Sequence, residues 1–422
     1  MQRVMLEKNI LVLANNPLSD MGSNGRTFKN FFSLEDRERL AQIYIFGEAP
    51  AFDVCSRFFR VGDGEVLRAC LHRTDAGHEI READAPLSVT AGSKRKVRKS
   101  PFTMLVRDFF WNRRVWRKRV NAWIDAFSPD AVVLQAGDSP FMYRWAVEIA
   151  RERGIPLAIY NSEDYYFKKY DFMRSRGVSH LLYPFYHRRL RRAVREALAY
   201  ATISVYISED LKRTYDVEFE KPSEYIYTAT SVLPNKDNVK EGVFSYLGNL
   251  GINRHKGLIK IAEALSRIDS SYRLDVYGKL PNKEVGEAFA ACEAIRYRGL
   301  VDYATVCRVM GESTLLFHTE SFEEFYRRDI RHGFSTKIAD SLASGSCFVI
   351  FAPPELSCTK YLKANACACV IDCEDELEAK LREVIGNREL RRTLVERAIA
   401  VAIHNHDAET NRARMASILN EL

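Results

Sequence analysis

The chain has 422 residues, 46% apolar and 28% charged, with a formal net charge of +7. That length exceeds one ordinary core and predicts two domains. The apolar content is that of a folded protein, and no apolar run reaches the roughly 18 residues that span a bilayer. Nine cysteines are scattered without a Cys-x-x-Cys pair. Cys358, Cys367, Cys369 and Cys373 cluster, but at no common zinc spacing, so the cysteines read as small buried residues of a reducing compartment.

The first eight residues run directly into a strand at Asn9–Ala14, which predicts no signal peptide and a cytoplasmic protein. A turn-rich stretch to Gly25 follows, then a helix from near Arg26 carrying Phe28, Phe31 and Phe32. Ile43–Gly47 reads as the next strand, and 51–100 as irregular and polar. A helix is expected over Pro101–Phe127, a strand over Ala131–Gln135, a helix over Ser139–Arg153 and a strand over Pro156–Tyr160. A helix over Leu190–Tyr200 then leads to a strand at Ile203–Val205.

Charge in this half is uneven. From Lys94 to Arg119 eleven cations are interleaved with aromatics such as Phe102, Phe109, Trp111 and Trp116, against the single acid Asp108. A second basic run spans Arg188 to Arg195. Such a segment suits the interface of an anionic membrane. It suits equally a solvated helix face whose aromatics belong to the core. A nucleic-acid partner is not expected, because no binding motif accompanies the charge.

Thr230–Asn238 reads as a linker. Beyond it the alternation is clearer, with strands expected at Val243–Leu247, Tyr272–Tyr277, Ile295–Arg298, Leu315–His318, Cys347–Phe351 and Ala368–Ile371. Between them lie helical patterns such as Leu258–Ile268. The reading is α/β: two Rossmann-like domains, 1–230 and 240–400, with parallel sheets whose strand ends face a cleft, and a final helical piece over 401–422.

The richest stretch is Gly333–Gly345 followed by the apolar run Cys347–Phe351. Ser335 is a suitable N-cap, and Gly345 lies where a helix end wants positive φ. Free N–H groups, the helix dipole and the Lys337 cation favour a phosphate there, and Asp340 lies one turn on, in reach of a ribose diol. After the first strand of the second half comes Gly248–Gly257, in which Arg254 and Lys256 suit a diphosphate. Gly278 ends the next strand and leaves room for a base. Glu320 ends the fourth strand and should project into the cleft. In the first half, Glu163 and Asp164 follow a strand and are candidates to orient or deprotonate an acceptor hydroxyl, with Asp138 a weaker one. No Asp-x-Asp pair is present, so no metal is expected. His404 and His406 read as solvated tail residues.

Tyr246-Leu247-Gly248-Asn249-Leu250 leading to Arg254-His255-Lys256-Gly257, Asp275-Val276-Tyr277-Gly278, and Ser335-Thr336-Lys337 through Gly345 together resemble the donor domain of GT-B fold glycosyltransferases, those similar to glycosyltransferase family 4. The resemblance covers roughly 243–385. It implies that Arg254, Lys256, Ser335, Thr336 and Lys337 hold the diphosphate of a nucleotide-sugar and that Asp340 binds its ribose. It also implies that Gly22 and Gly25 form the glycine loop approaching the donor, and that the last helix crosses between the domains. The sequence departs from the family's paired glutamates, with Asp340 in place of one and His332 eight residues earlier. Glu320 or an acid of Glu323-Glu324 then takes the sugar contact. Asn249 stands where an arginine is often found, so Arg254 supplies that charge. The expected activity is metal-independent sugar transfer to a saccharide or lipid-linked acceptor, with retention, in surface glycan synthesis. Alternatives are an epimerase or hydrolase of the same fold and a catalytically silent scaffold. A nicotinamide enzyme is disfavoured because no Gly-x-Gly-x-x-Gly turn follows a strand.

Overall fold

Short aliphatic runs form the strands, and among the described residues six of them are buried along their whole length, as the middle of a sheet covered on both faces requires. The computed structural model describes residues 4–20, 23–84, 99–235 and 239–422. Two units are distinguished: Met1–Tyr227 with Ala408–Leu422, and Thr228–Asp407.

In the first unit the order is β1 (Ile10–Ala14), α1 (Ser23–Lys29), β2 (Leu40–Tyr44), β3 (Arg57–Arg60), α2 (Asp63–His72), β4 (His78–Ile80), α3 (Pro101–Trp111), α4 (Lys118–Phe127), β5 (Ala131–Gln135), α5 (Pro140–Arg153), β6 (Leu157–Asn161), α6 (Val178–Leu181), α7 (Tyr183–Tyr200), β7 (Ile203–Tyr206), α8 (Glu209–Asp216) and β8 (Ser223–Tyr225). Its sheet runs β4-β3-β2-β1-β5-β6-β7-β8 and is parallel except for the β3–β4 edge pair.

The second unit continues with β9 (Lys240–Leu247), α9 (Arg254–Ile268), β10 (Leu274–Tyr277), α10 (Lys283–Ala290), β11 (Ile295–Gly299), α11 (Tyr303–Glu312), β12 (Ser313–Thr319), α12 (Glu324–Asp329), α13 (Lys337–Ala343), β13 (Cys347–Phe351), α14 (Ser357–Ala364), β14 (Cys369–Ile371), α15 (Leu377–Gly386) and α16 (Arg388–Asn405). Its sheet is parallel throughout, in the order β11-β10-β9-β12-β13-β14. The last helix, α17 (Ala408–Asn420), belongs to the first unit, where Met415, Ala416 and Leu419 join the core around β1.

Strand order reverses between β1 and β5 in one sheet and between β9 and β12 in the other. Helices leave on opposite faces at such a point, and the crevice at the strand C-ends is where ligands bind in open α/β sheets.

Several sequence expectations shift. The strand expected at Ile43–Gly47 is β2, three residues earlier, because Gln42 is a buried strand residue: its amide accepts from Leu18 N at 2.7 Å and donates to Asn16 O at 3.1 Å. Among its described residues, the stretch 51–100 holds two short strands and a helix in which Val66 and Ala69 are buried. The helix expected over Pro101–Phe127 is two helices. The chain breaks after Trp111 because Trp111 and Trp116 both turn inward, and Arg117 Nη2 donates to Trp111 O at 2.9 Å. Those indoles pack with Trp145, and Trp111 stacks on Phe141 with centroids 4.3 Å apart. The helix expected at Leu190 starts at Tyr183.

His406 is buried, contrary to the solvated reading. It pairs through Nδ1 with Thr228 O and through Nε2 with the Tyr361 hydroxyl, and burial pushes its pKa down to about 4. Cys55, Cys347, Cys358 and Cys367 are buried free thiols, whereas Cys373 is exposed. Among the described residues no helix is long and apolar enough to cross a membrane.

Candidate active site

The strongest concentration of functional groups lies at the switch point of the second sheet. β9 is followed by Gly248, whose φ of +153° turns the chain towards α9, and β10 by Gly278, with φ +155°. A Cβ on Gly278 would lie 2.1 Å from Gly248 O, so these two turns meet backbone to backbone. A Cβ on Gly257 would lie 2.3 Å from Thr319 Oγ1, which explains a glycine where α9 crosses the end of β12.

Lys337 occupies the space that glycine leaves at 248. Its Nζ lies where a Gly248 Cβ would come within 1.8 Å, and 5.2 Å from the Tyr246 ring centroid. That Nζ is buried and has no hydrogen-bond partner among the described residues. Burial lowers its pKa, the nearby Arg254 charge lowers it further, and Glu320 only partly opposes them, leaving it at about 7.

Arg254 opens α9 and holds Glu320 with both arms of its guanidinium: Nε donates to Oε2 at 2.9 Å and Nη2 to Oε1 at 2.7 Å. His318 shares Oε1 through Nε2 at 3.0 Å. Burial alone would raise the Glu320 carboxyl. The Arg254 charge and the hydrogen bonds from His318 and Arg254 outweigh it and hold the group at about 2. Burial keeps the His318 imidazole below its usual pKa despite this contact. Glu320 therefore does not project open into a cleft, as its place at a strand end predicts. It is a buried counter-ion that fixes the guanidinium. His318 escapes the sequence reading, although strand spacing of i and i+2 puts it on the same face as Glu320.

The other donor-side candidates are arranged around this core or away from it. The Ser335 cap is corrected: α13 starts at Lys337, with Thr336 as an N-cap of helical φ that makes no side-chain cap bond, and Ser335 contributes its carbonyl to Ile338 N. Gly345 has φ +90°, as a helix end requires. Asp340 lies one turn after Lys337 and accepts from Thr230 Oγ1 at 2.6 Å. Lys256 is exposed and ion-paired with Glu323, which also receives Asn253.

In the first unit, Gly25 is packed by its own loop: a Cβ there would lie 2.5 Å from Pro17 O. Gly22 lies outside the described residues. Asp164 Oδ1 accepts from Tyr166 N, Phe167 N and the Tyr215 hydroxyl at 2.9–3.0 Å, so this carboxylate organises a buried turn. Glu163 pairs with Lys168 Nζ at 2.9 Å, and Asp138 with Lys99 Nζ at 2.7 Å. Among the described residues no group of three His, Cys, Asp or Glu side chains is placed to hold a metal ion.

The basic segment is largely committed to the fold. Arg107 donates to Asp63 and Ser139, Arg114 and Arg117 pair with Glu148, and Arg119 donates to Gly77 O. Residues 94–98 of that segment lie outside the described residues.

Residues 254–420 match the family described as glycosyl transferase-like. No curated protein matches the chain. Among solved structures, HepE of Anabaena in complex with UDP and glucose superposes with a TM-score of 0.63 at 12% identity, covering 99% of this chain and 100% of that one. Sucrose-phosphate synthase of Thermosynechococcus elongatus gives 0.63 at 10% identity over 98% and 99%. WaaG, a glycosyltransferase involved in lipopolysaccharide biosynthesis, gives 0.55 at 13% identity over 97% and 99%. At such identities the likeness speaks for the fold. Residues 254–420 are thus similar to the glycosyl transferase-like family, and the chain along its whole length has the two-domain GT-B fold of these structures.

Proposed function

We propose that the protein transfers a sugar, with retention and without a bound metal, from a uridine diphosphate sugar to an acceptor hydroxyl of a saccharide or lipid-linked saccharide. One observation carries the reading: the buried Lys337 ammonium has no hydrogen-bond partner among the described residues and lies against the Gly248 backbone. A buried cation without an anion is costly, and a diphosphate at this crevice would supply the missing charge. Arg254, held by Glu320, and the positive end of α9 add to the field that would stabilise the departing nucleoside diphosphate. Asp340 exchanges its Thr230 contact for the ribose, and Ser335 and Thr336 approach the phosphates. On the acceptor side Glu163 is the better placed carboxylate, because Asp164 Oδ1 is taken up by its own turn and Tyr215. Uridine is the first base to try because HepE structures hold UDP and UDP-glucose.

The test is a thermal-shift panel of nucleoside diphosphates, nucleotide-sugars and nicotinamide cofactors, with Lys337→Ala alongside the wild type. UDP and its sugars should stabilise the wild type, and the variant should bind them about 10- to 100-fold more weakly, as loss of a charge-assisted hydrogen bond predicts. Response to nicotinamide cofactors alone overturns the reading. Free sugar formed without acceptor replaces it with a hydrolase.

A further inference from the structure

Most large apolar side chains of the first unit are buried, which makes one cluster of exceptions informative. On α3, Phe102, Val106 and Phe109 recur at i, i+4 and i+7, opposite the buried face of Met104, Asp108 and Trp111. On α6 and the start of α7, Val178, Leu181 and Phe185 are exposed as well. These six side chains are between 39% and 75% exposed. The elements that carry them are neighbours: α3 packs against both α6 and α7, and Arg189 of α7 pairs with Asp108 of α3 at 2.7 Å. An exposed apolar set on adjoining helices is larger than the scattered singles of an ordinary surface.

The charge beside it is one-sided. Arg113, exposed two residues past the end of α3, sets its guanidinium 4.7 Å from the Phe109 ring centroid, and Arg188 and Arg192 are exposed on α7. On these three helices the acids are Asp108, which is buried, and Glu196, which pairs with Arg192. Isologous pairing of this face with a second copy would bring like charges together. An anionic bilayer offers acyl chains to the aromatic residues and phosphates to the arginines.

We propose that the α3–α6–α7 face is a peripheral docking surface for an anionic lipid bilayer. It differs from the 94–119 segment singled out in the sequence. The aromatic and basic residues of that segment that fill the fold take no part, and half of the surface comes from 178–185. The proposal is independent of the donor site.

The experiment is co-sedimentation of the full chain with vesicles of phosphatidylcholine alone or with about a third phosphatidylglycerol, at low and high salt. The wild type should bind the anionic vesicles, less at high salt. Phe102→Ser with Phe185→Ser should lower the partition coefficient about tenfold or more at both salts, because two aromatic rings no longer enter the acyl boundary. Arg188→Glu with Arg192→Glu should lower it mainly at low salt, by at least about tenfold. All four positions are exposed, and unchanged melting temperatures and an unchanged response to UDP would show both variants folded. Absent binding, equal binding to neutral vesicles, or variants that bind like the wild type would overturn the proposal. So would a wild-type dimer that the Phe102→Ser, Phe185→Ser variant dissociates, because the face would then belong to a second copy.

Discussion

With a pKa of about 7 in the ligand-free protein, the Lys337 ammonium is half charged near neutral pH, and a diphosphate binds its charged form. Affinity for a uridine diphosphate sugar, whose phosphates are both esterified and do not titrate here, should fall by up to about tenfold per pH unit above 7. Calorimetric titration between pH 6 and 9, about two units either side of the midpoint at most, would show this slope, and Lys337→Met should flatten it. Stability moves the other way. The lysine binds its proton more tightly in the unfolded chain, with a pKa of about 10.4, so the unliganded protein should gain stability as pH rises from about 7 to 10. The glycine and charge signals that single out Lys337 and Arg254 are local and stand in the sequence, whereas the capping signal at Ser335 misleads because the helix starts two residues later. The seat of Lys337 on Gly248, and the capture of Arg254 by Glu320, depend on neighbouring strands far apart in the chain, and no local pattern encodes them.

Among the elements, α3 and α7 are joined through Asp108, a buried carboxylate that receives Arg144 from α5 and Arg189 from α7. Removing its charge leaves two guanidinium groups without their shared partner. Both arginines are partly solvated, so Asp108→Asn should cost about 2 kcal/mol, below the range for a fully buried pair, read as a shift in the urea midpoint. The parallel strands are legible because buried aliphatic runs between turns have few other uses, and Cys347–Phe351 falls at the bounds the sequence indicates. Where polar residues enter elements the pattern misleads. Gln42 inside β2 and the charged face of α2 break the apolar pattern while satisfying their polar groups locally or in the core. The split between α3 and α4 is hidden because both halves have helical composition, and only the inward turn of Trp111 and Trp116 separates them.

At the scale of the molecule, the chain leaves the first unit after Tyr227 and returns to it at Ala408. α17 is fastened there by Asn411 to Tyr227 O, Arg412 to Asn30 O and Asn420 to Met5 O, besides its buried Met415 and Leu419. Ending the chain after Asp407 should therefore unfold or weaken the first unit, although the deleted residues come last in sequence. Removing two large side chains from its core sets the scale at about 5 kcal/mol or more. Chemical denaturation of the shortened chain is the check, and unaltered stability of the first unit would contradict the assignment of α17 to that core. The aromatic inventory makes the measurement simple. All four tryptophans, Trp111, Trp116, Trp123 and Trp145, fall in the first unit, and none in the second. Indole emission is thus a private optical channel of one half of the protein. The crevice of Gly248 and Lys337 holds no indole, so a loss of structure confined to the second unit is dark in that channel and what the emission reports is the first unit alone.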